Sequence, residues 1–268
     1  MSASVEGHGL HSGAPGAVRF ERHDGPTVLR ARGIDTRVVD LRVVDTTRST
    51  TVADPSGVVR IGTVEHVLAA LGGLGIHAGV AVVVEGAEPP LADGGARRYV
   101  DLLRALGVPP STAPLRVVRA GVIEHAGSRY ELACGDGRGV TLEVAVDFDD
   151  SRIAQEARWT GDADDFRERI AVARTFGFER EVGDLLERGL ASHVTPESVV
   201  VIGDGRVLWS GAPFTADEPV RHKLLDLVGD LYLYGGPPRG ILRVIRPGHA
   251  ATHAVMARAL EEGLVVRD

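Results

Sequence analysis

The chain has 268 residues, 44% hydrophobic and 25% charged, the make-up of a folded globular protein with room for one large domain or two modest ones; a disordered chain is excluded. The net charge of −7 tells against a nucleic-acid binder, which would be basic, and no apolar run approaches the roughly 18 residues of a membrane span. The single cysteine, Cys134, excludes an internal disulfide and a multi-cysteine zinc site and reads as a structural residue.

Met1–Gly16 has neither a basic patch nor an apolar core, so no signal peptide is expected and the expected location is the cytoplasm. Gly7-His8-Gly9-Leu10-His11-Ser12-Gly13 reads as a hairpin turn, since it lacks the spacing of a phosphate-cradling loop. Val-rich segments bounded by Gly, Pro or Asp predict strands over Ala17–Glu21, Thr36–Val44 and Gly79–Glu85. Helical spacing predicts helices over Thr63–Leu71, closed by Gly72-Gly73, and over Arg97–Leu106. Further strands are expected at Leu115–Arg119, Tyr130–Ala133, Val140–Asp147, Ser198–Ile202 and Gly240–Arg246. Further helices are expected at Asp164–Ala173, Glu181–Arg188, Glu218–Leu231 and His249–Leu260. Strands come in groups with helices between the groups, which is an α+β pattern. Pro109-Pro110-Ser111-Thr112-Ala113-Pro114 reads as a linker between units 1–110 and 115–268. No sequence repeat relates the two.

The chain has no asparagine, one glutamine and one lysine, Lys223; the other basic residues are all arginine. A GC-rich coding bias explains the swap of Lys for Arg. A position that stays Lys under that bias points to a need for an ammonium, unless the one lysine survives by chance. Lys223 lies in Arg221-His222-Lys223-Leu224-Leu225-Asp226-Leu227-Val228-Gly229-Asp230-Leu231, where His222, Asp226 and Asp230 share one helical face. Either this is a solvated stripe or His222 and Asp226 ligate one ion, as the two histidines of H-E-x-x-H do. The other polar intrusion into an apolar helix is Glu65-His66. A buried carboxylate is costly unless paired. Zinc on His66, His222 and Asp226 would activate water, with Glu65 as general base. His249, after Pro247-Gly248, reads as a helix start or as a general acid. Arg174-Thr175-Phe176-Gly177-Phe178 reads as a helix end with a small apolar cluster. Its alternative is an oxyanion donor, Thr175, beside an aromatic substrate wall. His23, His77, His125, His193 and His253 show no partner pattern and read as surface or core.

Six segments occur together in the order found in one family. They are Gly9-Leu10-His11-Ser12-Gly13, Thr63-Val64-Glu65-His66, Pro90-Leu91-Ala92-Asp93-Gly94, Ala173–Phe178, Val220–Lys223 with Asp226 and Gly229-Asp230-Leu231, and Gly248-His249-Ala250. From about Gly7 to Leu260 the chain resembles the zinc-dependent UDP-3-O-acyl-N-acetylglucosamine deacetylases of lipid A biosynthesis. The resemblance implies two α+β domains of similar sandwich topology with the active site between them. It implies Zn²⁺, or Fe²⁺, on His66, His222 and Asp226, with Glu65 activating water and Thr175 stabilising the oxyanion. His249 would protonate the leaving amine, oriented by Asp230, and Lys223 would sit at the substrate. Phe148 and Phe178 match aromatic positions near the nucleotide and sugar, beside Phe176. Arg246 and Arg129 fall at contacts to the diphosphate. The expected partner is a UDP-acyl-aminosugar, with no nucleic acid, and the chain is expected to act as a monomer. The sequence departs from the family pattern at Ser192–Ser198, in the region shaping the acyl passage, and around Thr252 and His253. A paralogue acting on another N-acylated amino sugar, and a non-catalytic metal- or ligand-binding module, are the alternatives.

Overall fold

The computed structural model describes residues 3–136, 138–180 and 197–268. The expected helix Glu181–Arg188 and most of the divergent Ser192–Ser198 segment lie outside the described residues. The chain opens with the hairpin of β1 (Ser4–His8) and β2 (Pro15–Pro26); the turn expected over Gly7–Gly13 begins later, since Gly7 and His8, within β1, still pair with β2. Then come β3 (Val28–Ala31), β4 (Ile34–Arg37), β5 (Arg42–Asp45), β6 (Thr51–Ala53), β7 (Arg60–Ile61), helix α1 (Glu65–Gly73), β8 (Ala78–Glu85) and helix α2 (Arg97–Leu106). The second stretch carries β9 (Leu115–Val117), β10 (Gly121–His125), β11 (Ser128–Ala133), β12 (Val140–Ala145), β13 (Glu156–Trp159) and β14 (Thr175–Phe178). It ends with β15 (Val199–Gly203), β16 (Arg206–Leu208), helix α3 (Glu218–Tyr232), β17 (Gly240–Ile245), helix α4 (His249–Glu261) and β18 (Val265–Arg267). The fold is α+β.

Two five-stranded sheets repeat one plan. The first runs β1-β2-β8-β3-β4 and the second β10-β11-β17-β12-β13. In each, the pairing across the sheet is antiparallel, antiparallel, parallel, antiparallel. Among the described residues there are three further small sheets, β5-β6-β7, β14-β15-β16 and β18-β9.

Helices α1 and α3 pack directly against each other. Every residue of α1 is buried, as a run of Val, Leu, Ala and Gly with no wet face demands. In α3 only Lys223 escapes burial. The crossing is close because Gly229 has no side chain: a Cβ there would overlap the backbone carbonyl of Glu65. One core runs through Val82 of the first sheet, Leu68 of α1, Leu225 of α3 and Val244 of the second sheet. A smaller one holds Ile153, Val200 and Ile202, with Phe148, Phe176 and Phe178 against it.

Three expected elements differ. Thr36–Val44 is not one strand: after β4 the chain makes a 3-10 turn, Val38–Asp40, that buries Val38 and sends β5 into another sheet. Arg174–Phe178 does not end a helix, because Thr175–Phe178 pairs with Val199–Ile202 as a parallel strand. Asp164–Ala173 is only a helical turn, Ala163–Asp165, widening into a π turn over Phe166–Ile170, where Ala171 N–H donates to Phe166 O at 2.7 Å. Cys134 is exposed just past β11, so it is no core residue.

Candidate active site

The site forms where the first turn of α1 meets one face of α3. His222 and Asp226 are one turn apart on α3, and His66 arrives from α1. The His66 and His222 Nε2 atoms lie 3.8 Å and 3.4 Å from Asp226 Oδ1. One ligand atom from each of the three lies within 4.8 Å of the others. His222 Nδ1–H donates to Ala173 O at 3.0 Å, which leaves Nε2 free to bind. Burial and the neighbouring His222 drive His66 down to about 3, and burial lowers His222, so both imidazoles are neutral. Burial alone would raise the Asp226 carboxyl, but the Lys223 ammonium and the cationic His249 hold it well below its ordinary range. Two neutral imidazoles and a carboxylate are the donor set of an open Zn²⁺ or Fe²⁺ site. The residues present therefore fit the metal.

Beside this cluster sits a second set of groups. Glu65 Oε2 accepts from Thr50 N–H at 3.1 Å, and its Oε1 lies 3.9 Å from His249 Nε2. Burial raises Glu65 to about 8; His249 opposes the shift, while Asp226 and Asp230 add to it. A metal ion next to Glu65 would lower it again. His249 opens α4, where the helix N-terminus disfavours a cation. Burial disfavours it too, but Asp230, 2.8 Å from Nδ1, outweighs both and raises His249 to about 10. Asp230 is in turn held well below its ordinary range despite burial.

Lys223 Nζ donates to Asp226 Oδ2 at 2.8 Å and stands 5.7 Å over the Phe176 ring. Partial burial disfavours this ammonium, but Asp226 outweighs that and the group stays charged. Phe176 meets the His222 ring edge-on at 6.2 Å and packs with Phe148 and Phe178. Thr175 is half-buried in β14, its backbone N–H bound to Gly94 O at 2.8 Å. Arg246 immediately precedes Pro247-Gly248-His249 and pairs with the exposed Asp147. Arg129 lies across from Ile245 in the sheet, with its guanidinium taken by Glu124 and Glu131. The structure thus gathers Glu65, His66, His222, Lys223, Asp226, Asp230, His249 and Phe176 tightly. Thr175, Phe148, Phe178 and Arg246 lie on neighbouring elements, and Arg129 sits in a carboxylate network.

Several supporting residues escaped the sequence reading. Buried Arg174 grips Glu218 with Nε–Oε1 at 2.7 Å and Nη2–Oε2 at 3.0 Å, fixing the strand entry that offers Ala173 O to His222. Buried Glu88 accepts from His11 N–H, Ser12 N–H and Thr63 O–H, tying the first hairpin to the start of α1. Thr50, His253 and Tyr234 form a chain behind Asp230. A buried charge in a mixed segment was the one available signal for Glu88 and Glu218; nothing local marks Thr50.

Residues 1–261 match the family model for UDP-3-O-acyl N-acetylglycosamine deacetylase, LpxC. The chain is 34% identical to the UDP-3-O-acyl-N-acetylglucosamine deacetylase of Myxococcus xanthus, over 97% of this chain and 84% of that protein. It is 38% identical to the enzyme of the same name from Acidithiobacillus ferrooxidans, over 82% of this chain and 72% of that protein. With the counterpart from an Anaeromyxobacter strain the identity is 34%, over 97% and 86%.

Proposed function

This chain belongs to the UDP-3-O-acyl-N-acetylglucosamine deacetylase family, and from that premise we propose how its residues carry out the reaction. It is a hydrolytic deacetylase of lipid A biosynthesis acting on a UDP-sugar. His66, His222 and Asp226 would hold Zn²⁺, or Fe²⁺ in its place, which would supply Lewis acidity and lower the pKa of water. Glu65 takes a proton from the attacking water, whose oxygen adds to the acetamide carbonyl. The Thr175 hydroxyl and the Lys223 ammonium stabilise the charge that develops on the carbonyl oxygen. His249, held cationic by Asp230, gives its Nε2 proton to the amine nitrogen as the C–N bond breaks. The proton on Glu65 then returns toward His249 across the 3.9 Å between them, and the net products are the free amine and acetic acid.

Phe148, Phe176 and Phe178 form the apolar wall for nucleotide and sugar in this reading, and Arg246 and Arg129 meet the diphosphate. Arg129 would have to exchange its present carboxylate partners for phosphate, a change a guanidinium fork tolerates. The two repeated sheets support a division into units 1–110 and 115–268, with the site between them. No described helix is long and apolar enough to cross a membrane, and a cytoplasmic monomer is the reading we adopt.

The observation that carries this proposal is the placement of Glu65 and an ionised Asp230–His249 pair beside three buried metal-ligand residues. The test is acetate release from UDP-3-O-acyl-N-acetylglucosamine by purified protein loaded with zinc or with iron. Turnover that needs the metal and Glu65 supports it. A metal-replete protein that releases no acetate from this substrate sinks it.

A further inference from the structure

Thr50 is wholly buried at the mouth of β6 and takes no part in the reaction as written. Its contacts nevertheless reach both working ends of the site. Its backbone N–H donates to Glu65 Oε2 at 3.1 Å, and its carbonyl accepts from Val64 N–H at 3.2 Å, so it is clamped to the first turn of α1. Its hydroxyl donates to Asp230 Oδ1 on α3 at 2.6 Å, while Asp230 Oδ2 holds His249. One residue thus touches the general base, the partner of the general acid and, at 3.3 Å from His249 Nδ1, the acid itself.

The direction of the donors follows from simple accounting. A hydroxyl has one proton, and an ionised Asp230 can only accept, so the Thr50 proton points at Asp230. The Thr50 oxygen then accepts from His253 Nε2–H at 3.2 Å, a donor that also lies 3.5 Å from Asp230 Oδ1. The Tyr234 hydroxyl stands 3.2 Å from both His253 Nδ1 and His253 O, and so braces this ring. Tyr234, His253 and Thr50 thus form a connected set of contacts that ends on Asp230. Threonine suits the task because its branched side chain has few rotamers to lose.

Taking Glu65 as base and His249 as acid, we propose that Thr50 is a positioning residue. It sets the Glu65 carboxylate and the Asp230–His249 pair at their working separation, with His253 and Tyr234 holding its hydroxyl in the donating orientation. The test compares Thr50→Val, which keeps the shape and removes the hydroxyl, with Thr50→Ser, which restores it, both in the metal-loaded enzyme. The first readout is the proton resonance of the His249 Nδ1–H, identified by its loss in His249→Ala, and it needs no substrate. It should move in Thr50→Val and return in Thr50→Ser. In turnover, Thr50→Val should lower kcat about tenfold and leave KM within about twofold, with metal content unchanged. In an Asp230→Asn background the same change should cost less than about twofold, because Asp230, at 2.6 Å, takes the hydroxyl's proton while His249 Nδ1 lies farther off at 3.3 Å. An unmoved resonance with unchanged kcat in Thr50→Val overturns the proposal, and so does an undiminished loss in the Asp230→Asn background. If Thr50→Val does not fold, His253→Phe removes the donor behind the hydroxyl and should move the same resonance; no movement there overturns the proposal equally. Absence of turnover by the unaltered enzyme would strike the deacetylase reading alone, because the resonance still decides the role of Thr50.

Discussion

Around the first sheet, the groups that reach the site come from the ends of elements: Thr50 before β6, and Glu65 and His66 in the first turn of α1. Around the second, most of them come from mid-helix, with His222, Asp226 and Asp230 spaced along one face of α3 and His249 at the start of α4. The strand plan is the same in both halves, so the plan does not determine what each contributes. On α3 the spacing of two ligands and the acid's partner is set locally, by 3.6 residues per turn. Across the interface, the place of Glu65 and His66 depends on how α1 beds onto α3.

The contrast breaks most sharply at Glu65. Glu65→Ala should lower kcat by about 10²–10⁴-fold while metal analysis shows the ion still bound, whereas His222→Ala should lose ion and turnover together. Full turnover in a metal-replete Glu65→Ala protein would remove the base from the first half altogether.

The acid in the second half is tested by pH. His249 donates only while protonated, and Asp230 raises it to about 10, so activity should fall as pH rises through that region. Asp230→Asn takes away the charge that raises it and leaves burial and the helix terminus, which lower it. The basic limb of kcat/KM should therefore move down, toward or below the ordinary histidine value of about 6.5. A limb that stays in place belongs to another group.

The seam between the halves should respond in stability. Gly229→Ala puts a methyl into the Glu65 carbonyl and should cost about 1–3 kcal/mol, read as a lower Tm. Gly139→Ala, where a Cβ meets nothing within 4 Å, is the comparison. The smallest effect is expected at the surface of α4. Arg258→Ala breaks an exposed pair with Glu262 and should leave Tm without a resolvable change.

Much of the site was legible because its signals are local. A Glu-His pair in an otherwise apolar helix, an i, i+4 His and Asp, and a lone lysine each stand out by composition or period. What was not legible is carried by contacts distant in sequence. Thr50 meets Asp230, Glu88 meets the turn at His11 and Ser12, and Arg174 meets Glu218, and no spacing rule links such pairs. His253 was set aside for want of a neighbour in sequence, yet its partners are Thr50 and Tyr234. Thr175–Phe178 was misread because four residues carry too little period to tell a strand from a helix end. The repeated sheet plan resides in hydrogen-bond order, which different residues satisfy equally, so the absence of a sequence repeat did not predict it.

The division of ligands between α1 and α3 bears on how the protein is made. As the chain leaves the ribosome, it presents His66 long before His222 and Asp226 have been joined to it. A product truncated before α3 carries one of the three residues proposed to hold the ion, fewer than an open three-ligand site needs. On that reading the site is complete only once α3 has been made and packed against α1.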